Sequence, residues 1–301
     1  MKEKIVFMGN TDLSAYVLNG LIEKKYNIIA TIINKKSGFS LVKKIALKNN
    51  IKVFEVEKMK DEINLFKLLG HDLIITCAFG KILPKEILQT SKIGNLNVHT
   101  SLLPKYRGAS PVEHAIFNRD EKTGVSIIEM VEKMDAGDIY SVREIDVLKT
   151  DNKDSLLEKM KVISVEALTE AIERYKKNKT PMIIQNEEEV SFAPILKRED
   201  EKILLSESGN NIVGKILGLS SKPGAYLIIE NKEIKILDAS FIEKKHKEEI
   251  GKILKENKEN FNFCVKDGFI KIKKVQLEGK KIMLAKDFFN GQMSYIGKIL
   301  K

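Results

Sequence analysis

Apolar residues follow two rhythms along this 301-residue chain, and the change between them marks its organisation. In the first half, short continuous apolar runs alternate with amphipathic stretches. "KIVFMG" (Lys4–Gly9), "IIATII" (Ile28–Ile33), the centre of "HDLIITCAFG" (His71–Gly80) and "IGNLNVH" (Ile93–His99) read as strands. Between them Leu13, Val17, Leu18, Leu21 and Ile22 recur at helical spacing, and a second helix is expected from Ser40 to Asn49. Continuous apolar strands that alternate with helices build a parallel α/β sheet covered on both faces.

"GVSIIEMV" (Gly124–Val131) and "DIYSVREIDV" (Asp138–Val147) predict two further strands, the second alternating as an edge strand does. A long helix is then expected to open on a capping box of Ser155 and Glu158. Its core stripe reads Leu156, Met160, Ile163, Ala167 and Ala171, and it closes near Tyr175.

After Ser191 the rhythm changes. "SFAPILKREDEKI" (Ser191–Ile203) has no period, contains Pro194 and ends in charge, which predicts an extended linker. A helix around Asn210–Leu219 and a turn at "SKPGAY" precede the short pieces "YLIIE", "EIKILDAS", "GKILKE", "FNFCV" and "GFIKIKKVQL". Short strands at near-regular spacing suggest a small barrel or sandwich. The expected division is therefore 1–190, a linker at 191–206, and a second domain at 207–301.

Charge sharpens the picture of the second domain. Lys plus Arg number 52 against 42 Asp plus Glu, a formal balance of +10. From Glu201 onward there are 20 Lys and no Arg against 13 acidic residues, leaving +7 in the last third. Such a surface favours polyanions, RNA first among them; a general compositional bias toward Lys and Ile is the competing explanation. Cys77 and Cys264 show no CxxC spacing, which argues against a zinc ribbon or a disulfide framework and suits a reducing compartment. "MKEKIVFMGN" is too short in its apolar run for a signal peptide, and no segment reaches membrane-spanning length. A cytoplasmic protein with no membrane partner is expected. The first turn, "GNTDLS", offers Gly9 alone where a dinucleotide site wants GxGxxG, so neither NAD nor a flavin is expected, and no metal.

Candidate chemistry lies in "NVHTSLLPKYRG" (Asn97–Gly108). Residues i and i+2 of a strand face the same side, so Asn97 and His99 project together at the C-terminal end of an apolar strand, where ligands of open α/β sheets bind. A carboxamide beside an imidazole can hold negative charge developing on a carbonyl oxygen. In "EKMDAGDIY" (Glu132–Tyr140), Asp135 and Asp138 flank an Ala-Gly turn. A carboxylate near His99 could serve proton traffic, although turns are where Asp and Gly ordinarily occur.

"NVHTSLLPKYRGASPVEHAI" together with "TGVSIIEMVEKMDAGDIY" resembles the signature of the 10-formyltetrahydrofolate-dependent formyltransferases. "IVFMG", "AFGKILPKEIL", "SFAPIL", "KPGAY" and "VQLEGKKIM…DFFNG" follow in matching order and point to the branch that acts on methionyl-tRNA. The resemblance implies a Rossmann-like parallel-sheet formyltransferase domain and a C-terminal OB-like β-barrel that binds tRNA. It implies that Asn97, His99 and Asp135 are catalytic: Asn97 donating to the oxyanion, His99 kept cationic beside it, Asp135 orienting His99 and helping carry the amine proton away. Ser101, Leu102, Leu103 and Pro104 match the folate-contacting step, and Phe79, Gly80 and Ile82 of "AFGKILP" the opposite wall. The partners implied are the folate co-substrate and initiator methionyl-tRNA, and the expected assembly is a monomer. The family usually carries a longer, Arg-containing basic loop after the second strand; here "NKKSGFSLVKK" offers Lys35, Lys36, Lys43 and Lys44 as tRNA contacts. Two other readings stand beside this one: a formyltransferase for a small amine, such as an amino-sugar nucleotide or glycinamide ribonucleotide, and a non-catalytic RNA-binding relative.

Overall fold

The computed structural model describes residues 2–35 and 40–301. In chain order the elements are β1 (Lys4–Gly9), α1 (Asp12–Glu23), β2 (Asn27–Asn34), α2 (Leu41–Lys48), β3 (Lys52–Val56), α3 (Ile63–Leu69), β4 (Leu73–Cys77) and α4 (Lys85–Leu88). There follow β5 (Gly94–His99), β6 (Arg107–Gly108), α5 (Pro111–Phe117), β7 (Lys122–Glu129), β8 (Ile139–Asp146), α6 (Lys153–Asn178) and β9 (Phe192–Ala193). The rest comprises α7 (Gly209–Gly218), β10 (Ala225–Ile229), β11 (Lys232–Glu243), β12 (Ile253–Lys255), β13 (Phe261–Val265), β14 (Gly268–Leu277), β15 (Met283–Leu284) and α8 (Ala285–Gly291).

The chain divides into two compact units: Met1–Pro111, Thr123–Ile145 and Leu157–Pro194 form one, and Val112–Lys122, Asp146–Leu156 and Ile195–Lys301 the other. The first holds a seven-stranded sheet in the order β3-β2-β1-β4-β5-β7-β8. Its strands from β3 to β5 run parallel, and β7 is antiparallel to β5. The largely apolar runs of β1 and β4 are buried along nearly their whole length, as strands covered on both faces must be. The chain winds outward from β1 to β3 and then in the other direction from β4 to β5, so the switch point lies between β1 and β4. Ligands of such sheets sit at the C-terminal strand ends beside that point.

One local expectation is corrected. The helix α6 starts earlier than Ser155: Asn152 is its cap, accepting through Oδ1 from the Ser155 amide at 2.9 Å, while Ser155 Oγ accepts from the Asn152 amide at 3.0 Å. Ser155 is the reciprocal partner in that box, because Asn serves as a cap as well as Ser does. The linker opens as a strand: Phe192 and Ala193 pair in parallel with Arg107 and Gly108.

The second unit is built on a six-stranded antiparallel sheet, β10-β11-β14-β13-β12 with β15 beside β14. Alternation drives it. Along β14, Ile270, Ile272, Val275 and Leu277 are buried while Lys273 and Lys274 point outward. Glu230 and Asn231, both at positive φ, make the two-residue turn from β10 to β11. The C-terminal tail then closes the sheet on itself. Lys301 exchanges backbone hydrogen bonds of 2.9 and 2.8 Å with Ile228 of β10, and Leu300 N donates to Gly251 O at 2.9 Å next to β12. Tying the two edges together in this way removes the unpaired rims an open sheet would expose, and gives the barrel.

Candidate active site

Strand register sets the site's first two side chains. Thr76 of β4 lies beside Asn97 of β5, and His99 lies two residues on, opposite Ser126 of β7. The Thr76 hydroxyl donates to Asn97 Oδ1 at 2.7 Å, which turns the amide nitrogen of Asn97 toward the loop between β7 and β8. There Asn97 Nδ2 lies 3.4 Å from Asp135 Oδ1, and His99 Nδ1 lies 3.6 Å from Asp135 Oδ2. The carboxamide, imidazole and carboxylate therefore share one small space at the C-terminal end of β5.

His99 is 5% exposed, and its Nε2–H donates to the Tyr106 carbonyl at 2.9 Å. Nδ1 faces Asp135 Oδ2 from beyond hydrogen-bonding distance, and with Nε2–H committed to a carbonyl it can donate only when the ring carries a second proton. Asp135 itself sits at φ 50°, a left-handed conformation that Asp tolerates better than most residues. Its Oδ2 accepts from the Gly108 amide at 2.9 Å. Gly108 has φ 126°, and a Cβ there would meet Ala193 O at 2.5 Å, so the close pairing with β9 that aims this amide demands glycine.

A second shelf of polar groups lies behind Asp135. Gln185, 8% exposed, donates from Nε2 to Asp135 O at 2.8 Å and to Gly137 O at 2.7 Å. Its Oε1 accepts from Arg107 Nε and Nη2 at 3.0 and 2.9 Å. Arg107 Nη2 also reaches Glu187 at 2.9 Å, and the Lys133 ammonium, together with that guanidinium, holds the Glu187 carboxyl below the usual carboxylate range. Sequence reasoning missed Thr76 and Gln185. Thr76 is one polar letter in an apolar strand, and Gln185 lies in "MIIQNEEE", outside any periodic segment.

The loop after β5 is pinned from within. Ser101 Oγ donates to Lys105 O at 2.6 Å, while Ser126 Oγ donates to Ser101 O and accepts from Leu103 N. Ser101 and Leu103 are buried, the latter packed on Ile128 and Ile139, whereas Leu102 and Pro104 are half-exposed. The loop after β4 divides in the same way. Phe79 is buried among Val6, Met8, Leu83 and Ile87, and its carbonyl accepts from Asn10 Nδ2 at 2.6 Å. Gly80 and Ile82 are exposed, and Gly80, at φ 74°, has nothing within 4 Å of where a Cβ would stand. Cys77, at the end of β4, is no nucleophile: burial pushes its thiol up to about 12.

Of the four lysines expected at the basic loop, Lys36 lies outside the described residues. Lys43 is ion-paired with Glu55, and Lys35 and Lys44 are exposed. Among the described residues no three His, Cys, Asp or Glu side chains gather as metal ligands would, and no helix is long and apolar enough to cross a membrane.

Residues 3–172 match the family model described as formyl transferase, and residues 195–293 the model described as formyl transferase, C-terminal domain. A methionyl-tRNA formyltransferase of Malacoplasma penetrans is 37% identical over 99% of this chain and 97% of its own length. One from Clostridioides difficile is 34% identical over 99% of each. Among solved structures, HypX of Aquifex aeolicus in complex with tetrahydrofolic acid superposes at a TM-score of 0.72 with 18% identity. That match takes in 98% of this chain, which spans about half the length of HypX, 48%. An N-formyltransferase from Helicobacter canadensis follows at a TM-score of 0.69 and 19% identity, over 90% of this chain and 98% of that one. At such identities the two structures speak for the fold alone.

Proposed function

The chain belongs to the formyltransferase family, and on that premise we propose that it transfers the formyl group of 10-formyltetrahydrofolate to the free amino group of initiator methionyl-tRNA, giving the N-formylated initiator for translation. The observation that carries this reading is the convergence of Asn97 and His99 on the Asp135 carboxylate at the open end of the sheet. Identity of 37% and 34% across almost the full length to methionyl-tRNA formyltransferases supports the choice of acceptor.

The residues present fit a flat folate ring. Gly80 leaves backbone uncovered, Ile82 is exposed, and Leu102 and Pro104 offer apolar surface on the neighbouring loop. Phe79, Ser101 and Leu103 serve the same contacts from beneath, by holding the two loops in shape. The co-substrate supplies an electrophilic formyl carbon. When the acceptor amine attacks that carbon, its oxygen gains negative charge. Asn97 Nδ2 has two hydrogens, and the one not directed at Asp135 is donated to that oxygen. His99 spends Nε2–H on Tyr106; its Nδ1–H, at 3.6 Å too far from Asp135 for a hydrogen bond, turns to the same oxygen as an imidazolium donor. The Asp135 carboxylate faces His99 and takes up the amine proton by way of water; the oxyanion then collapses with cleavage of the bond between the formyl carbon and the folate nitrogen, which leaves carrying that proton. Each donor to the oxyanion contributes about 3 kcal/mol to lowering the barrier.

Lys35, Lys44 and the lysines on the outward face of the barrel contact the tRNA backbone through its phosphates. The apparent KM for tRNA should accordingly rise steeply between low and moderate salt; an affinity indifferent to salt would remove them from the reading.

The testing experiment supplies 10-formyltetrahydrofolate with methionyl-tRNA, an amino-sugar nucleotide or glycinamide ribonucleotide as acceptor. Formylation of methionyl-tRNA is the expected result. Turnover of a small amine alone, or RNA binding without turnover, would overturn the assignment.

A further inference from the structure

We infer that Gln185 is a positioning residue for the reaction, acting with Arg107 to hold Asp135 where Asn97 and His99 can reach it. The inference rests on the role proposed above for Asp135. Asp135 stands at φ 50° in a short turn, and its side chain has to meet two partners on β5 and the Gly108 amide at once. A turn in the left-handed region has alternatives of similar energy, so something has to select this one.

Gln185 provides the selection. Its Nε2 hydrogens go to the carbonyls of Asp135 and Gly137, the residues on either side of Ala136, and so fix the direction of both peptide planes. The NH2 end of the side chain can do this because its one nitrogen carries two hydrogens, one for each carbonyl. The other end, Oε1, is taken by a two-pronged contact from Arg107. That contact settles which end of the amide is which, since a guanidinium only donates.

Arg107 is an expensive residue to place there. It is 1% exposed, and Nη1 has no hydrogen-bond partner among the described residues. A buried guanidinium with an unpaired N–H costs stability that an apolar side chain of similar volume would not. Its position explains the choice: Arg107 immediately precedes Gly108, whose amide binds the Asp135 carboxylate. One dipeptide thus grips Asp135 twice, by the side chain directly and by the backbone through Gln185. Among the described residues neither the Gln185 nor the Arg107 side chain hydrogen-bonds to Asn97 or His99, and both reach the site through Asp135.

The test uses the full-length enzyme with formyl donor and methionyl-tRNA. In Gln185→Glu the Arg107 contact survives, but a carboxylate oxygen faces two carbonyls and the turn is released. We expect kcat to fall roughly 30-fold with KM for each substrate changed less than about twofold, because only the reacting geometry moves. The distinguishing measurement repeats the substitution in an Asp135→Asn background, where it should cost less than about threefold more. A full 30-fold loss in that background would show a general structural role and overturn the inference. So would wild-type kcat in a folded Gln185→Glu enzyme. If Gln185→Glu does not fold, Arg107→Lys carries the test: one ammonium cannot make the two-pronged contact, and about a fivefold loss with the same dependence on Asp135 is expected. An Asp135→Asn enzyme with undiminished kcat would instead sink the assignment of Asp135 itself, leaving the brace without a function to serve.

Discussion

Buried polar side chains are distributed very unequally between the two units. In the first, Thr76, His99, Ser101, Arg107, Ser126 and Gln185 are all nearly or wholly excluded from solvent, and all lie around the strand ends that carry Asn97 and Asp135. In the second, the buried side chains of the sheet are mostly Ile, Leu, Val and Phe, with Asn262 an exception, and its lysines lie outside, while Ser220 and Asp151 are buried elsewhere in that unit. Buried polar groups cost free energy unless each finds a partner, so a fold keeps them where they do something apolar packing cannot. In the first unit they surround the Asn97, His99 and Asp135 side chains, where the proposed reaction needs donors aimed at one point. The second is apolar inside and lysine-rich outside, which suits a rigid carrier of positive surface. Substitutions in the first should therefore change rates more than stability, and substitutions in the core of the second should do the reverse.

The largest expected effect is on Asp135. Replacement by Asn keeps the side chain's shape and tolerance of positive φ but removes the charge facing His99, and kcat should fall on the order of 100- to 1000-fold with little change in thermal midpoint. Rate and unfolding measured on one preparation check both halves of that statement. Next comes Leu300→Ala in the tail that closes the barrel. The side chain is 1% exposed, so its truncation should cost about 3 kcal/mol of stability in denaturant titrations while kcat at low temperature stays near wild type. A large fall in kcat without loss of stability would erase the division between the units.

Thr76→Val is a smaller probe within the first unit. It preserves strand packing but frees the Asn97 amide to turn over, and a roughly fivefold loss in kcat, restored by Thr76→Ser, is expected from one hydrogen bond of about 1 kcal/mol. The smallest effect is on the pH dependence of stability. His71, fully buried, bonds through Nε2 with Ser91 and Thr90, and burial lowers its affinity for a proton below the ordinary value of 6.5. The unfolded chain therefore takes up a proton as pH falls below about 6.5 while the folded one resists, so stability is full above that value and is lost on acidification toward the folded value. Thermal midpoints at pH 7.5 and 5.5 should differ less in His71→Gln than in wild type.

Much of this was legible in the sequence, for physical reasons that differ from place to place. Continuous apolar runs gave β1, β2 and β4, because strands buried on both faces leave no other pattern. Asn97 and His99 could be placed on one side of a strand by the two-residue repeat alone. β3, with Lys52, Val53, Phe54 and Glu55, is only partly buried and passed unread, as did the tail from Gly297, whose strand-like pairing rests on backbone atoms that no side-chain pattern reports. The braces at Thr76 and Gln185 stayed hidden because hydrogen bonds between residues 21 and 50 positions apart leave no periodic trace.

The most direct test is the single-turnover rate of formyl transfer to methionyl-tRNA, with donor and acceptor both saturating, in wild type and His99→Ala. Saturation removes binding from the comparison and leaves the stabilisation of the developing oxyanion. A fall of about 100-fold or more is predicted. A rate within about threefold of wild type would contradict convergence of the three side chains on one reacting oxygen.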